Sequence, residues 1–359
     1  MVAAWLIGAI AWRGPLPLLA LSILLPWLVF RQETRAKAVF TAAAYFLAAS
    51  IPAISVWKAF SPDQPAQGVL IWATASAILT LPWALLWNAN RSQQLWRIPI
   101  TLAISILPPI GLIGWASPLT AAGVLLPGTG FAGLAATSLA PVYPKLAATA
   151  IFVTHLFFQV PTAPMGFAAI STIEASERYA KEESARTAIH SAKAELVILP
   201  EGAVHRWTEA TEAFWAPTIQ HLHQEQRTAL IGAGIHIPGS AEYQNTLITI
   251  GEWKMNPFEQ RIPIPIGMWK PFGPADGVRL NLTGPGTLQV GPHRLAILIC
   301  YEQLLVWPML QSALEKPTLI VGISNATWTK QTNIPAAQEA CLKAWCRLFG
   351  IPYISAINL

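Results

Sequence analysis

Two apolar runs in this 359-residue chain stop abruptly at residues able to do chemistry. LVILPEG, residues 196–202, carries Glu201 at its tip, and LAILICYEQL, residues 295–304, delivers Cys300, Tyr301 and Glu302. A thiol attacks as the thiolate, so Cys300 as a nucleophile needs a base or a positive environment. Glu201 can take that proton and return it to a leaving amine or alcohol. The resulting chemistry is acyl transfer: a thioester forms on Cys300, and water or an amine resolves it. The tetrahedral oxyanion needs donors, from a cationic side chain or backbone N–H groups. Plainer roles stay open. Cys300 can be a buried structural cysteine. Glu201 can cap a helix or lie in a loop, although a carboxylate directly after LVILP requires solvent or a partner.

The elements that must hold these residues are short apolar strands alternating with helices. Strands are expected in 166–175, at LVILP, over 229–235 and 245–251, at 294–302, from about Thr318 to Ile323, and over 352–358. Helices are expected over 178–194, near 209–226 and over 335–349. This alternation predicts a layered α/β domain over 163–359. Glu201, Cys300 and Asn325 then all fall at carboxyl ends of strands, where such folds build their sites.

Residues 1–160 differ in kind. They hold eight Lys/Arg and two Asp/Glu, whereas the remaining 199 residues hold fifteen and sixteen. Only 11% of the whole chain is charged, against about 25% in soluble proteins. Apolar runs recur at about 15–30, 38–57, 68–87, 98–115, 119–143 and 146–160, which predicts a transmembrane helical bundle of six spans. Pro26, Pro52, Pro82, Pro108 and Pro109 inside these runs suit a bundle whose neighbours satisfy freed carbonyls. Trp57, Trp83, Trp87, Trp96 and Trp115 sit near proposed ends, where indoles favour the interface. The basic residues concentrate in alternate gaps: Arg31, Arg35 and Lys37, then Arg91 and Arg97, then Lys145. By the positive-inside rule these gaps are cytoplasmic, so the following domain is expected in the periplasm of a bacterial inner-membrane, multi-pass protein.

Cys300, Cys341 and Cys346 make no disulfide framework. His155 and His205 supply no zinc set, so no metal is expected. No GxxxxGK or GxGxxG phosphate loop occurs, and no cofactor is expected. No basic face with reading groups points to nucleic acid.

LVILPEG, LAILICYE, SNATW at 324–328, and Gln338 followed by KAWCRLFGIP at 343–352 together resemble the carbon–nitrogen hydrolase (nitrilase) superfamily. The preceding bundle narrows the resemblance to the branch holding apolipoprotein N-acyltransferase and the TraB proteins of conjugal transfer. It implies an α-β-β-α sandwich and a Glu-Lys-Cys triad, with Glu201 as base and Cys300 as nucleophile. The family lysine precedes a strand matched by QRIPIPIGMW, residues 260–269, in which Pro265 and Gly267 align. Its position falls on Gln260, with Arg261 beside it. Arg261 is one candidate cation, Lys254 and Lys270 are others, and a site without a cation is the fourth possibility. The acyltransferase glutamate after Gly267 is replaced by Met268. Glu302 can support the site, while Trp269, Tyr301, Asn325 and Trp328 can line it. The family aspartate in the SNATW region is missing, with Ala326 and Thr327 in the gap. The family continues beyond the asparagine matched by Asn358, so the sandwich is expected to be incomplete at the C-terminus.

The resemblance implies a TraB-type conjugal transfer membrane protein with an acyl-transfer or amidase domain of altered or lost activity, a branch that MWKPF at 268–272 also suits. The alternatives are an apolipoprotein N-acyltransferase with a phospholipid acyl donor and a non-catalytic membrane scaffold. Expected partners are membrane lipid and lipoprotein, conjugation or envelope components.

Overall fold

The computed structural model describes residues 1–171, 177–273 and 276–359. The chain divides into two compact units. The first is Met1–Pro161 with Leu304–Trp307 and Trp328–Ile351; the second is Thr162–Gln303 with Pro308–Thr327 and Pro352–Leu359. Two segments that follow the α/β pattern in sequence therefore pack with the first unit.

The first unit is helical. Its elements are α1 (Val2–Ala11), α2 (Leu24–Phe30), α3 (Arg35–Ala49), α4 (Pro52–Phe60), α5 (Pro65–Leu86), α6 (Gln94–Ile106), α7 (Ala122–Leu125), α8 (Gly130–Leu139) and α9 (Pro144–Phe157). Among the described residues, only the 22-residue α5 is by itself long and apolar enough to cross a membrane. The number rises to three if two bent pairs each count as one span: α3 with α4, bent by 52°, and Pro118–Leu125 with α8, bent by 118°.

Six continuous spans are thus not supported, and the interruptions have local causes. Residues 15–30 split into a 3-10 stretch, Leu16–Ile23, and the seven residues of α2. Pro108 and Pro109 follow close on the end of α6, and α9 opens at Pro144 and runs only 14 residues. At 1.5 Å per residue, 14 residues reach roughly 21 Å, short of the ~30 Å hydrocarbon core.

Large aromatic side chains fill the centre of this unit. Trp12, Tyr45 and Trp83 are fully buried. Trp12 Nε1 donates to Tyr45 Oη at 2.9 Å, and Tyr45 Oη donates to the Ala116 carbonyl at 2.9 Å, so these two polar tips are paired, whereas Trp83 Nε1 has no partner among the described residues. The late helix Ile334–Phe349 packs here too: Asn333 Nδ2 donates to the Trp12 carbonyl at 2.6 Å, and Arg347 Nε to the Gly123 carbonyl at 3.1 Å. The backbones approach so closely that a Cβ on Gly123 would lie 1.9 Å from the Ala344 carbonyl oxygen. Helices α7 to α9 border an apolar cavity of about 220 Å³, lined by Leu126, Thr137, Tyr143, Leu146 and Ala150 among others.

The second unit holds two sheets, a mixed α/β arrangement. Its strands are β1 (Phe167–Ala169), β2 (Leu196–Ile198), β3 (Val204–Arg206), β4 (Thr228–His236), β5 (Tyr243–Gly251), β6 (Phe258–Glu259), β7 (Thr287–Val290), β8 (His293–Ile299), β9 (Leu319–Asn325) and β10 (Tyr353–Asn358). One sheet runs β1-β2-β4-β5-β6, with β3 also pairing β4; the other runs β10-β9-β8-β7. Of the first strand expected over 166–175, residues 167–169 form β1, while 172–176 lie outside the described residues.

Helices α10 (Arg178–Ser191) and α11 (Glu209–Gln224) cover one face of the first sheet. Ala185 and Ile189 of α10 and Trp215 and Leu222 of α11 pack on Val197, Ile231, Ala233, Ile248 and Ile250. The alternation leaves Leu230, Gly232 and Gly234 of β4 on the opposite face, where the site lies.

Helix α11 starts where the Thr208 side chain accepts from Thr211 N at 3.2 Å, and Glu209 and Glu212 lie in its first turn. The cap and the acidic first turn both suit the positive end of the helix dipole. Thr208→Ala is expected to lower stability by about 1 kcal/mol. The check is the denaturation midpoint at unchanged slope; no shift would rule out a stabilising cap.

Candidate active site

Each chemical group sits where an apolar strand ends. Leu196–Ile198 is fully buried, and the chain turns through Pro200 to present Glu201, itself only 7% exposed. Strand β8 is buried from Leu295 to Ile299 and ends at Cys300, 3% exposed. Cys300 has φ +51°, a left-handed conformation rare for a residue with a side chain. Such strain at a strand-to-turn corner persists where surrounding contacts fix it, often to project a reactive group.

The two groups meet. The Glu201 carboxylate and the Cys300 thiol are hydrogen-bonded to each other. Glu201 Oε1 accepts from Asn245 Nδ2 at 2.7 Å, and Oε2 accepts from the Asn325 backbone N–H at 2.9 Å. The backbone N–H groups of Asn325 and Tyr301 also point at the Cys300 sulfur. Gln260 completes the pocket: its Oε1 accepts from Asn245 Nδ2 at 2.9 Å, and its Nε2 donates to the carbonyl of Ile299, just before the nucleophile, at 3.0 Å.

Burial dominates the electrostatics. It pushes the Glu201 carboxyl above its ordinary 4.5; the bonds from Asn245, Cys300 and Asn325 work against this, and the Glu302 charge adds to it. Burial also pushes the Cys300 thiol well above 9, and the adjacent Glu201 charge and hydrogen bond push it further. Both groups therefore hold their protons more tightly than they would in water, and protons lost from them belong to the pair.

A carboxyl with a raised folded pKa holds its proton more tightly when folded. Its stabilising contribution is complete below about pH 4.5 and is lost as pH rises through the higher folded value. Reactivity runs the other way, since only the carboxylate can accept the thiol proton. Acylation of Cys300 is expected to rise with pH through a midpoint above 4.5, and Glu201→Gln to remove that limb. A midpoint at the ordinary carboxylate value would contradict the burial described here.

Arg261 belongs to a second cluster. Its guanidinium donates to Glu302 Oε1 at 3.4 Å, the Pro308 carbonyl at 3.1 Å, Ser312 Oγ at 3.3 Å and the Ile297 carbonyl at 3.0 Å, with no bond to Glu201 or Cys300. Gln260 and Arg261 are adjacent, so an extended backbone sends their side chains to opposite sides. Glu302, fully buried, also accepts from the backbone N–H groups of Arg261, Ile262 and Ile299. It ties the 261–262 segment to the strand end that carries Cys300. The other candidate cations pair elsewhere: Lys254 with Glu212 at 3.0 Å and Lys270 with Asp276 at 2.9 Å.

The expected lining residues scatter. Asn325 reaches Glu201 through its backbone, while its Oδ1 accepts from Thr327 N and Oγ1 and closes the following turn. Tyr301 is half-buried beside Cys300, and burial pushes its phenol up. Trp269 lies in a turn, its N–H donating to the Ile264 carbonyl, and no bond or ring contact joins it to Glu201. Trp328 belongs to the first unit, its ring edge-on to Phe60 with centroids 5.2 Å apart. Asn245 is the pocket residue not singled out from sequence. A polar residue opening the apolar run NTLITIG was its only trace. No group of three or more His, Cys, Asp or Glu that could hold a metal occurs among the described residues.

No family model matches the chain. Among solved structures, a carbon–nitrogen hydrolase from Helicobacter pylori G27 aligns with TM-score 0.42 and 13% identity, covering 54% of this chain and 73% of that one. An amidase from Nesterenkonia sp. aligns with TM-score 0.39 and 13% identity over 55% of this chain and 78% of its own. Two curated proteins are similar along nearly the whole length. "Probable conjugal transfer protein TraB" of Sinorhizobium fredii (strain NBRC 101917 / NGR234) is 32% identical over 99% of this chain and 97% of its own. "Conjugal transfer protein TraB" of Agrobacterium fabrum (strain C58 / ATCC 33970) is 32% identical over 98% of this chain and 90% of its own. At that identity and coverage, the chain belongs to the TraB family of conjugal transfer proteins.

Proposed function

We propose that this chain is a membrane-anchored conjugal transfer protein whose second unit forms and resolves an acyl-thioester, as an amidase or an N-acyltransferase of the nitrilase type. The observation that carries the chemistry is the Glu201–Cys300 hydrogen bond inside a buried pocket. Glu201 takes the Cys300 proton as sulfur attacks a carbonyl carbon. The tetrahedral intermediate collapses, the leaving amine or alcohol takes the proton from Glu201, and the acyl group stays on sulfur. Water or an amine then attacks the thioester with Glu201 again as the base, the C–S bond breaks, and the Cys300 sulfur leaves and takes that proton back from Glu201 as the thiol. The N–H groups of Tyr301 and Asn325, which point at the sulfur, are candidate donors to the oxyanion, the latter on release from Glu201 Oε2.

Gln260 stands where the resemblance places a lysine, and a carboxamide supplies dipole rather than charge. This supports slow turnover, and it is the one observation that favours the second reading, a scaffold that keeps the fold without turnover. Arg261 and Glu302 act in this account as supports for the pocket rather than as its acid or cation.

Anchoring in the inner membrane rests on the first unit. The 22-residue α5 leaves Leu70 and Leu85 at least 60% exposed, and elsewhere in the unit Phe40, Leu146, Phe152 and Phe157 are exposed to the same degree. A water-facing surface of that kind is an aggregation liability, whereas hydrocarbon covers it without cost. Counting each bent pair as one span puts Arg31, Arg35 and Lys37 on the same side as Arg91 and Arg97 and the second unit on the other, which favours a periplasmic second unit, within reach of phospholipid, lipoprotein and envelope components of the transfer apparatus.

The test uses the full chain in detergent micelles with a p-nitrophenyl acyl ester. A burst of one nitrophenolate per chain, followed by slower release, is expected. Absence of a burst at any pH, with the protein folded, would leave the scaffold reading.

A further inference from the structure

Hydroxyls on the helices of the first unit return their proton to their own backbone. Ser76 Oγ donates to the Trp72 carbonyl and Thr80 Oγ1 to the Ser76 carbonyl, each at 2.8 Å, and Ser138 Oγ donates to the Ala135 carbonyl at 2.7 Å. Thr137, beside Ser138 on α8, does not. It is fully buried, and its Oγ1 has no hydrogen-bond partner among the described residues. A buried hydroxyl left in that condition costs about 1–3 kcal/mol.

Thr137 forms part of the wall of the cavity bordered by α7 to α9. Tyr143 is the other polar residue of that wall, and the rest is apolar. Ala136 and Ala140, on and just after α8, and Ala147 and Ala150 of α9 are too small to close the gap, and about 220 Å³ is left. Apolar cavities of about 150 Å³ take up benzene, so this one has room for a run of methylenes. Water is a poor occupant. It needs two to four polar partners, and of the two hydroxyls in the wall only that of Thr137 is buried.

The surroundings identify a better one. Tyr143, Leu146, Ala147, Ala150 and Ile151 line the cavity from one face of α9 and the residue before it. Leu146 is also exposed, as are Phe152 and Phe157 further along the helix, so the cavity is continuous with the apolar surface assigned above to hydrocarbon. At the start of α9 the chemistry changes. No side chain caps the helix, its first turn holds no acidic residue, and the exposed Lys145 lies there. Open N–H groups at the positive end of a helix, with a lysine beside them, suit an anion.

We propose that this cavity binds one acyl chain of an anionic phospholipid. The tail fills the space between α8 and α9, the ester carbonyl accepts from Thr137 Oγ1, and the phosphate meets Lys145 and the first N–H groups of α9. One molecule thus supplies an acceptor for the orphaned hydroxyl, a counter-charge for the bare helix start and methylenes for the gap. The site rests on the membrane-anchoring part of the proposed function and is independent of the acyl transfer, since all its residues belong to the first unit.

The experiment is native mass spectrometry of the full chain released from detergent micelles after titration with dioleoylphosphatidylglycerol, with dioleoylglycerol or with oleate. One phosphatidylglycerol per chain is expected to bind saturably, about 5-fold or more tightly than dioleoylglycerol, the scale of one lysine facing an anionic headgroup. Thr137→Val is expected to weaken that first lipid about 2- to 10-fold, the worth of one hydrogen bond. In lipid-free micelles the same variant should keep or raise the denaturation midpoint, because it removes an unpartnered hydroxyl; a purely structural threonine would lower it. Ala147→Phe, which fills the gap, is expected to abolish the saturable lipid, and Thr137→Val keeps the test decisive if that larger side chain prevents folding. Lipids that add without a saturable first one, or a first one unchanged in both variants, overturn the site. Equal or tighter binding of oleate or dioleoylglycerol overturns the phospholipid as its occupant. A chain that aggregates without detergent while no lipid saturates loses the site alone, whereas one that stays monodisperse without detergent loses the anchoring reading as well.

Discussion

Glu201→Gln is expected to slow acylation of Cys300 by about 100- to 10,000-fold, the usual worth of a positioned general base. The exchange is close to isosteric, and its carboxamide oxygen can still accept from Asn245 Nδ2 or the Asn325 N–H, so the fold is retained. What disappears is the carboxylate that is hydrogen-bonded to the thiol and can take its proton. Burial holds Cys300 well above 9, so without that base the thiolate fraction near neutral pH is small. Cys341, pushed up to about 12 by burial, and Cys346, pushed up to about 11, lack a carboxylate partner among the causes of their shifts. Their slow background labelling should be unchanged. Stopped-flow acylation with an activated ester checks both, and a loss under about threefold would remove Glu201 from the chemistry.

Glu302→Ala is expected to cost about 3–5 kcal/mol of stability, the range for breaking a fully buried ion pair by deleting one partner. The loss has three parts. Arg261, fully buried, keeps its charge without its counter-ion. The backbone N–H groups of Arg261, Ile262 and Ile299 lose their acceptor inside the protein. A cavity replaces the side chain. The chain held by these bonds carries Gln260 on one side and Cys300 on the other, so surviving folded protein should also acylate poorly. Denaturation of the full chain gives the number; a cost below 1 kcal/mol would mean the cluster is not the clamp its geometry suggests. Replacing the pair by apolar residues of similar volume should be far milder, since well-packed apolar substitutes often match buried pairs.

The pairing of Glu201 with Cys300 was legible because both close apolar runs, and apolar runs of that length become buried strands whose ends converge. The position of Gln260 was legible from Pro265 and Gly267, and alternation alone separates it from Arg261. Asn245 was not, because a polar residue at the head of a strand is ordinary and only tertiary structure brings it to Glu201. Strand β3 is three residues with one buried apolar side chain, and β7 is four residues in a Gly/Pro-rich stretch; neither shows periodicity. The register shift between Val204 and Arg206 exists only in the pairing of β3 with β4. In the first unit, hydropathy marked where apolar chain occurs, but not which prolines start a new helix, as Pro52, Pro65 and Pro144 do, and which lie inside an unbroken one, as Pro82 and Pro99 do. The helix Ile334–Phe349 looked like one more α/β crossover, and nothing in KAWCRLFGIP announces that Trp345 and Cys346 are buried inside the first unit.

The central claim is that a thioester forms on the sulfur beside Glu201. Its most direct measurement is mass mapping of the full chain after brief reaction with a short acyl ester and acid quench. The account predicts one acyl mass on the peptide containing Cys300, removed by neutral hydroxylamine, and nearly absent in Glu201→Gln. Acyl mass spread evenly over Cys300, Cys341 and Cys346, or unchanged in the Glu201 variant, would contradict it.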